Sequence, residues 1–275
     1  MGQKLAIDFG TTNSVIAQWD AAQETAQVLN LANVGTDAAD GLPPAVPSLI
    51  YVNDGGAGTV TVGHQVRARG LDVRQDNRLF RNFKRGIVST PAPEPRDIDG
   101  KPWDDKAVGR KFLQTLVDGL PCKLSDIEQL VMSAPVASFE GYLAWLNSLF
   151  DEELQQKIRI VDESTAAALG YMVTKPGAVV LVFDFGGGTL DLSLVELPES
   201  REKTGGFLNR LRGKSAQQHS ARVIAKAGRV IGGSDVDQWL LTEILKRTGL
   251  TTKQLGSSYS TLLTRCEHAK IALST

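Results

Sequence analysis

The chain has 275 residues, 42% of them hydrophobic, and 30 lysines and arginines stand against 31 aspartates and glutamates. That length and apolar content suffice for one large or two medium cores, while the near-cancelling charge argues against nucleic acid as the main partner, because a phosphate backbone is usually met by a basic excess. No apolar run is long enough to span a bilayer and no signal peptide precedes Lys4, so no membrane partner is expected, and the two cysteines, Cys122 and Cys266, lack metal-ligand spacing and read as reduced thiols of a cytoplasmic protein.

In chain order, the first unit is a strand-turn-strand over residues 4–20. An apolar strand ends in Asp8 and Phe9, the turn is Gly10, Thr11, Thr12, Asn13 and Ser14, and a second strand runs to Trp19. A strand is expected within 26–31, then a Gly-, Asp- and Pro-rich loop over 35–47. Val46, Pro47 and Ser48 lead into a strand over 49–52, followed by a turn at 53–58 and a strand at 59–62. A helix is expected from Gly63 to about Leu71. His64, with no second ligand in view, reads as a surface or capping residue.

Residues 77–86 carry Arg78, Arg81, Lys84 and Arg85. Such a run is usually a solvated face. Leu79, Phe80 and Phe83 nevertheless supply an apolar anchor that would hold one basic side chain rigidly over a ligand, and Lys84 is the candidate. Pro91, Pro93, Pro95 and Gly100 mark 89–101 as a loop or ragged hairpin. From Asp104, Val108, Phe112, Leu113, Leu116 and Leu120 recur at helical spacing until Pro121. A strand over 127–133 runs into Ala134 and Pro135. Ser138 is placed to cap a helix whose apolar stripe includes Phe139, Tyr142, Leu143 and Leu146, with Tyr142 and Trp145 read as core or lobe contacts. Residues 157–161 form another strand, followed by Asp162, Glu163, Ser164, Thr165 and a small-residue run that packs as a helix. Glu163 reads either as a first-turn acid favoured by the helix dipole or as the holder of a metal-bound water.

The chain is organised around residues 179–197. An uninterrupted apolar run that reads as a buried strand ends in Asp184, Phe185, Gly186, Gly187, Gly188 and Thr189, and an alternating strand with Asp191 follows. A glycine run in a hairpin lets the backbone approach a ligand and turn its N–H groups toward an anion. Carboxylates beside an anion repel it unless a cation stands between them. The economical reading is a nucleotide with Mg²⁺ held largely through its waters; the plain alternative is an ordinary glycine-rich hairpin. The repetition of Asp-Phe-Gly at Asp8 and Asp184 favours two hairpins gripping a polyphosphate from both sides.

Residues 198–221 read as a long, basic, solvated hairpin tip with a docking surface as the minority reading, and a return strand follows at 221–225. Within the tip, Arg212-Gly213-Lys214-Ser215 fails as a P-loop because Leu208 stands where the upstream glycine is required. Val230, Ile231, Gly232, Gly233, Ser234 and Asp235 break the chain before a helix over about 236–245. Residues 262–273 form a final helix.

Taken together these motifs resemble, in order and across nearly the whole chain, the nucleotide-binding domain of Hsp70-type chaperones, in the actin, hexokinase and Hsp70 ATPase superfamily. The resemblance implies an α/β, actin-like ATPase fold with ribonuclease H-like lobes: lobe I over 1–175 with a reduced small subdomain at about 36–104, an incomplete lobe II over 176–275, and no substrate-binding domain. By resemblance, Asp8 and Asp184 would hold Mg²⁺ through water. Thr11, Thr12, Asn13, Gly10 and Gly186, Gly187, Gly188 and Thr189 would cradle the phosphates of ATP or ADP. Lys84 would position the attacking water, with Glu163, Asp191 and Thr189 completing the metal and water network. Gly232 and Gly233 match a further nucleotide motif, Glu267, Lys270 and Ser274 the adenosine side, and Pro135 an interlobe switch. The implied function is an ATP-hydrolysing chaperone domain served by a J-domain co-chaperone and a nucleotide-exchange factor, with client peptide not held by this chain alone.

The departures point elsewhere. No arginine follows Pro135 within 136–144, Ser164 stands where the family has proline, and the chain stops before the second adenosine motif. A nucleotide-binding or protein-interaction module without turnover is therefore the competing expectation, with a filament-forming actin homologue or small-molecule kinase behind it.

Overall fold

The computed structural model describes residues 2–38, 41–135, 139–172, 177–197, 222–256 and 258–274. Its first sheet is built on the N-terminal hairpin. Strand β1 (Gln3–Phe9) pairs antiparallel with β2 (Asn13–Asp20), which pairs with β3 (Thr25–Val28) and with the short β4 (Val46–Pro47). A second, three-stranded sheet follows from β5 (Leu49–Asp54), β6 (Thr59–Val62) and, after helix α1 (His64–Ala68), β7 (Leu79–Arg81). The helix expected to reach Leu71 stops at Ala68, because Gly70 adopts a left-handed conformation (φ 64°) and a 3-10 turn over Leu71–Val73 follows.

Helix α2 (Phe83–Val88) carries Lys84 and leads to the hairpin of β8 (Arg96–Ile98) and β9 (Lys101–Trp103). Helix α3 (Asp105–Asp118) begins at Asp104, whose carboxylate accepts the Ala107 N–H and so satisfies one of the helix's open donors. Strand β10 (Ile127–Ala134) then joins β1 in parallel, α4 (Phe139–Asn147) and α5 (Glu152–Lys157) cross over, and β11 (Ile158–Asp162) joins β10 in parallel. The first sheet thus runs β11-β10-β1-β2-β3. The Ser138 cap expected for α4 lies outside the described residues.

Alternation along β1 sends Leu5, Ile7 and Phe9 into the core and leaves Asp8 exposed on the other face. Phe9 is the anchor: its ring lies 5.9 Å from Phe83, 5.6 Å from Phe112, 6.4 Å from Tyr142 and 6.3 Å from Trp145. This aromatic cluster joins α2, α3 and α4 beneath the end of β1, so the packing that stabilises the core also fixes the helix bearing Lys84.

Helix α6 (Glu163–Met172) connects to a further sheet of β12 (Val179–Phe185), β13 (Leu190–Glu196) and β14 (Arg222–Arg229), all antiparallel. Helices α7 (Gly233–Thr248), α8 (Thr252–Leu255) and α9 (Ser258–Leu273) complete the chain. The uninterrupted apolar run of β12 is buried on one face only. Val180 and Val182 pack with Ala168, Val195 and Leu197, while Leu181 and Phe183 on the other face stay 65% and 66% exposed. An apolar run cannot by itself say whether a second layer covers its outer face. The basic 201–221 segment, with the rejected P-loop, lies outside the described residues.

Candidate functional site

The turn of the first hairpin and the turn of the β12–β13 hairpin face each other. In the second turn the Gly186 N–H donates to the Thr189 carbonyl at 2.9 Å, closing the loop tightly. A Cβ on Gly187 would fall 1.9 Å from Thr12 Oγ1, and one on Gly188 would fall 2.6 Å from Thr11 Oγ1 and 2.9 Å from Arg85 Cδ. Only glycine permits this approach of the two loops. Between them opens a cleft of about 440 Å³ lined by Asp8, Gly10, Thr11, Thr12, Asn13, Lys84, Ser133, Glu163, Asp184, Gly186, Gly187 and Thr189. Most of the residues expected to hold phosphates and metal are therefore on one surface.

Lys84 is buried, with 6% exposure. Its ammonium is ion-paired with Glu163 Oε1 at 2.5 Å and lies 5.6 Å from the ring centres of both Phe9 and Tyr142. Asp8 accepts from the Ser133 hydroxyl at 2.5 Å, across 125 residues of sequence. Burial raises the Glu163 carboxyl, Lys84 opposes that, and Asp8 and Asp184 add repulsion. Asp184 is likewise pushed up by burial, then by Asp191 and Asp8. Asp191 pairs in register with Asp184 across the two strands and is fully buried behind the cleft wall rather than on it. Burial raises its pKa too. Three carboxylates, those of Asp8, Glu163 and Asp184, thus line the cleft with one ammonium, a donor set that suits a cation. Among the described residues no three acidic, histidine or cysteine side chains come close enough to ligate one metal ion directly, so a cation that keeps much of its own water fits better than a stripped one.

Gly232 and Gly233 lie behind the second loop rather than on the cleft. The Gly233 N–H donates to Gly186 O at 3.0 Å and the Ser234 N–H to Gly187 O at 2.9 Å, while Gly232 N–H donates to Asp235 Oδ2 at 2.7 Å. A Cβ on Gly232 would come within 2.6 Å of three backbone atoms of that loop. These amides are spent on protein, so the pair braces the second turn from behind. Glu267 reaches Arg67 at 3.5 Å and Arg81 at 3.6 Å, and Lys270 reaches Asp237 at 2.8 Å and the Gly233 carbonyl at 3.0 Å. Both line a narrow recess next to Thr11 and Thr12. Ser274 is not brought to the cleft; its hydroxyl donates to the Lys270 carbonyl on the exposed end of α9.

Several site residues carried no local signal. Arg85 makes a two-pronged pair with Asp235 at 3.1 and 3.3 Å, and Ser234 donates to Asn82 at 3.0 Å, tying α2 to the start of α7. Ser164 shares a buried hydrogen bond with Ser193 and donates to Asp162 at 3.0 Å. In sequence Ser164 stands out as a candidate helix cap, alongside Asp162, and as a departure from proline; in the structure the cap is Asp162, which accepts the Thr165 N–H at 2.8 Å.

A sequence model of the Hsp70 protein family matches residues 155–275. The chain is 28% identical over 279 positions to a chaperone protein DnaK of Thermotoga petrophila, covering 98% of this chain and 41% of that relative. It is also 28% identical over 306 positions to a chaperone protein DnaK of Thermus thermophilus, covering 100% of this chain and 43% of the relative. The chain therefore spans about two fifths of the length of the curated relatives it matches. The mixed α/β architecture fits the actin-like ATPase fold, and no helix among the described residues is long and apolar enough to cross a membrane. Opposed hairpin turns, a carboxylate-ringed lysine between them and these likenesses together support an Hsp70-type chaperone nucleotide-binding domain.

Proposed function

We propose that the chain binds a nucleoside triphosphate as its Mg²⁺ complex between the two hairpin turns and hydrolyses it, with residues 1–175 as lobe I, 36–104 as a reduced small subdomain and 176–275 as lobe II. The observation that carries this reading is the buried ammonium of Lys84 among Asp8, Glu163 and Asp184 where the two hairpin turns meet. Asp8 and Asp184 would hold the metal through water, and the metal when bound would neutralise phosphate charge. Backbone amides of Gly10 to Asn13 and of Gly187 to Thr189, with the Thr11, Thr12 and Thr189 hydroxyls, cradle the phosphates, while the Gly186 amide closes the second turn on the Thr189 carbonyl.

Lys84, held at one place by Glu163 and two rings, orients a water in line with the terminal phosphorus. The water oxygen attacks that phosphorus as its bond to the bridging oxygen breaks, giving ADP, orthophosphate and one proton. Catalysis is then mostly positioning and charge stabilisation. Within a longer chaperone this turnover would drive conformational change and be regulated by a J-domain co-chaperone and a nucleotide-exchange factor.

A second reading is a nucleotide-binding module without turnover. It is favoured by Glu267 and Lys270 being committed to protein partners and by Ser274 lying off the cleft. Calorimetric titration with Mg·ATP, with phosphate release followed on the same samples, separates them. The hydrolytic reading expects binding to be lost in Asp184→Asn and turnover lost in Lys84→Ala with binding kept. Binding without turnover in the unaltered chain selects the second reading.

A further inference from the structure

A cavity of about 510 Å³ opens between the small sheet and the start of α9, and it shares no lining residue with the cleft between the hairpin turns. Its two walls are tied to each other: Arg81 of β7 donates through Nη2 to the Thr264 hydroxyl at 2.6 Å, and the Thr261 hydroxyl donates to the Val73 carbonyl at 3.2 Å. Arg81 and Arg96 both line the cavity. The Arg96 guanidinium is held 4.1 Å from the centre of the buried Phe80 ring, and its Nη1 donates to the Asn77 and Leu79 carbonyls at 3.1 and 2.5 Å. Among the described residues its Nε and Nη2 donate to nothing and no carboxylate pairs with it. Arg81 has Glu267 at 3.6 Å, yet its buried Nε has no partner among the described residues. Burial lowers both guanidiniums from their ordinary values, with Glu267 opposing at Arg81 and Asp105 at Arg96, and the charge of Arg81 lowers Arg96 further. Two cations thus repel each other across one cavity, with donors to spare.

We propose that this cavity binds a small organic carboxylate with an apolar body, the carboxylate gripped by the Nε–Nη2 edge of Arg96 and the body lying against Leu79, Tyr259 and Leu263. The inference does not depend on hydrolysis in the cleft. A guanidinium edge presents two parallel donors that match two carboxylate oxygens, and partial burial strengthens the pairing. The Tyr259 hydroxyl is already donated to Gln238 at 2.6 Å, so its ring is what remains for a ligand. Asp76 is the one carboxylate in the lining among the described residues, and both its oxygens are engaged, Oδ2 by the Tyr51 hydroxyl at 2.6 Å and Oδ1 by the Arg78 N–H at 3.0 Å. Two cations against one anion leave a single positive charge in excess, which suits a monoanion; a phosphate dianion would exceed it and would leave the apolar wall unused. The volume falls within the range of about 300–1,000 Å³ usual for small-molecule sites.

The test is calorimetric titration of the nucleotide-free chain with 3-phenylpropanoate. The comparison probes are 3-phenylpropanamide, which keeps the body without the charge, and inorganic phosphate, which supplies charge without the body. Arg96→Gln removes the fork, and Ser260→Trp on the opposite wall fills the cavity while leaving Arg96 in place; circular dichroism and thermal unfolding check that each variant is folded. The acid is expected to bind at one site, about 10-fold or more weakly in Arg96→Gln, as the loss of a charge-assisted pair implies, and not at all in Ser260→Trp. The amide and phosphate are expected to bind the unaltered chain at least about 10-fold more weakly than the acid. If Arg96→Gln fails to fold, Ser260→Trp and the acid-against-amide comparison decide the matter. An acid that binds no tighter than its amide or than phosphate, an affinity unchanged in the folded variants, or no binding of the acid at millimolar concentration overturns the proposal.

Discussion

Replacing Lys84 by methionine keeps the aliphatic packing against Phe9 and Tyr142 but removes the charge paired with Glu163. The pair is nearly dry, with side-chain exposures of 7% and 14%, so solvent screening offers little relief. Removing one partner of a buried ion pair costs about 3–5 kcal/mol, and we expect the lower end, about 3 kcal/mol at pH 7, because Glu163 can neutralise itself by taking a proton. The pH dependence follows from its raised pKa. A carboxyl whose pKa is higher folded than unfolded binds more protons in the folded state, so stability falls as pH rises between the two values. Losing Lys84 removes an interaction that lowers the Glu163 pKa, which widens that window upward. The Lys84→Met penalty, read from urea unfolding, should therefore be clearly larger at pH 7 than at pH 5, and Lys84→Met/Glu163→Gln should regain most of it. A penalty under about 1 kcal/mol that is the same at both pH values, or a double variant no better than the single, would refute this account of the pair.

Gly232→Ala places a methyl within 2.6 Å of three backbone atoms of the Gly186–Gly188 turn; the turn must shift, costing about 1–3 kcal/mol in thermal or urea unfolding and, on the proposed function, weakening Mg·ATP binding by calorimetry more than 10-fold. Glu267→Gln removes the anion shared by Arg67 and Arg81, so α9 should detach from the small sheet, seen as faster release of a fluorescent ADP analogue by several fold, with the difference from the unaltered chain shrinking at high salt. Burial raises Asp105 to about 6, with Arg96 opposing and Asp104 reinforcing. Between its unfolded value and that pKa the folded state binds the extra proton, so this group makes stability fall as pH rises from 4 to 6. Asp105→Asn should flatten that slope and, after allowance for solvent screening, stabilise at pH 7 by about 1 kcal/mol; an unchanged slope in pH-dependent urea unfolding would count against the assignment.

Both hairpins were legible because they need nothing distant: an apolar strand, a turn rich in glycine or small polar residues and a second strand lie within 20 residues or so, and the repeated Asp-Phe-Gly places Asp8 and Asp184 at equivalent ends. Lys84 was legible only as a candidate among four basic residues, and its selection over Arg81 and Arg85 rests on burial that spacing cannot report. Helices α5 and α8 were missed because six and four residues are too few to display a 3.6-residue period. Val179 to Phe183 misled in part, since a continuous apolar run carries no information on whether one face or two will be covered. Arg85 with Asp235 and Ser133 with Asp8 join residues 150 and 125 apart, and no local pattern marks either pair.

Ser164 shows how a departure from the family pattern can still serve the same cleft. A proline there would stiffen the turn before α6 through its ring. The serine instead donates to Asp162 at 3.0 Å and shares a hydrogen bond with Ser193 of β13, while Lys226 of β14 reaches the other oxygen of Asp162 at 2.6 Å. Burial would raise Asp162, but the Lys226, Thr165 and Ser164 hydrogen bonds outweigh it and hold the carboxyl below its ordinary value, so this link stays ionised at neutral pH. Glu163, between Asp162 and Ser164, is thereby held by the β12–β13–β14 sheet on one side and by Lys84 of α2 on the other. A rigid proline would make the position of Glu163 a property of its own turn. Hydroxyl and ammonium links to β13 and β14 make it depend on where the β12–β13–β14 sheet stands relative to the first. Any displacement of the β12–β13–β14 sheet from the first sheet must then either break these contacts or carry Glu163 away from Lys84, and in the second case the ammonium loses the partner that holds it beside the cleft.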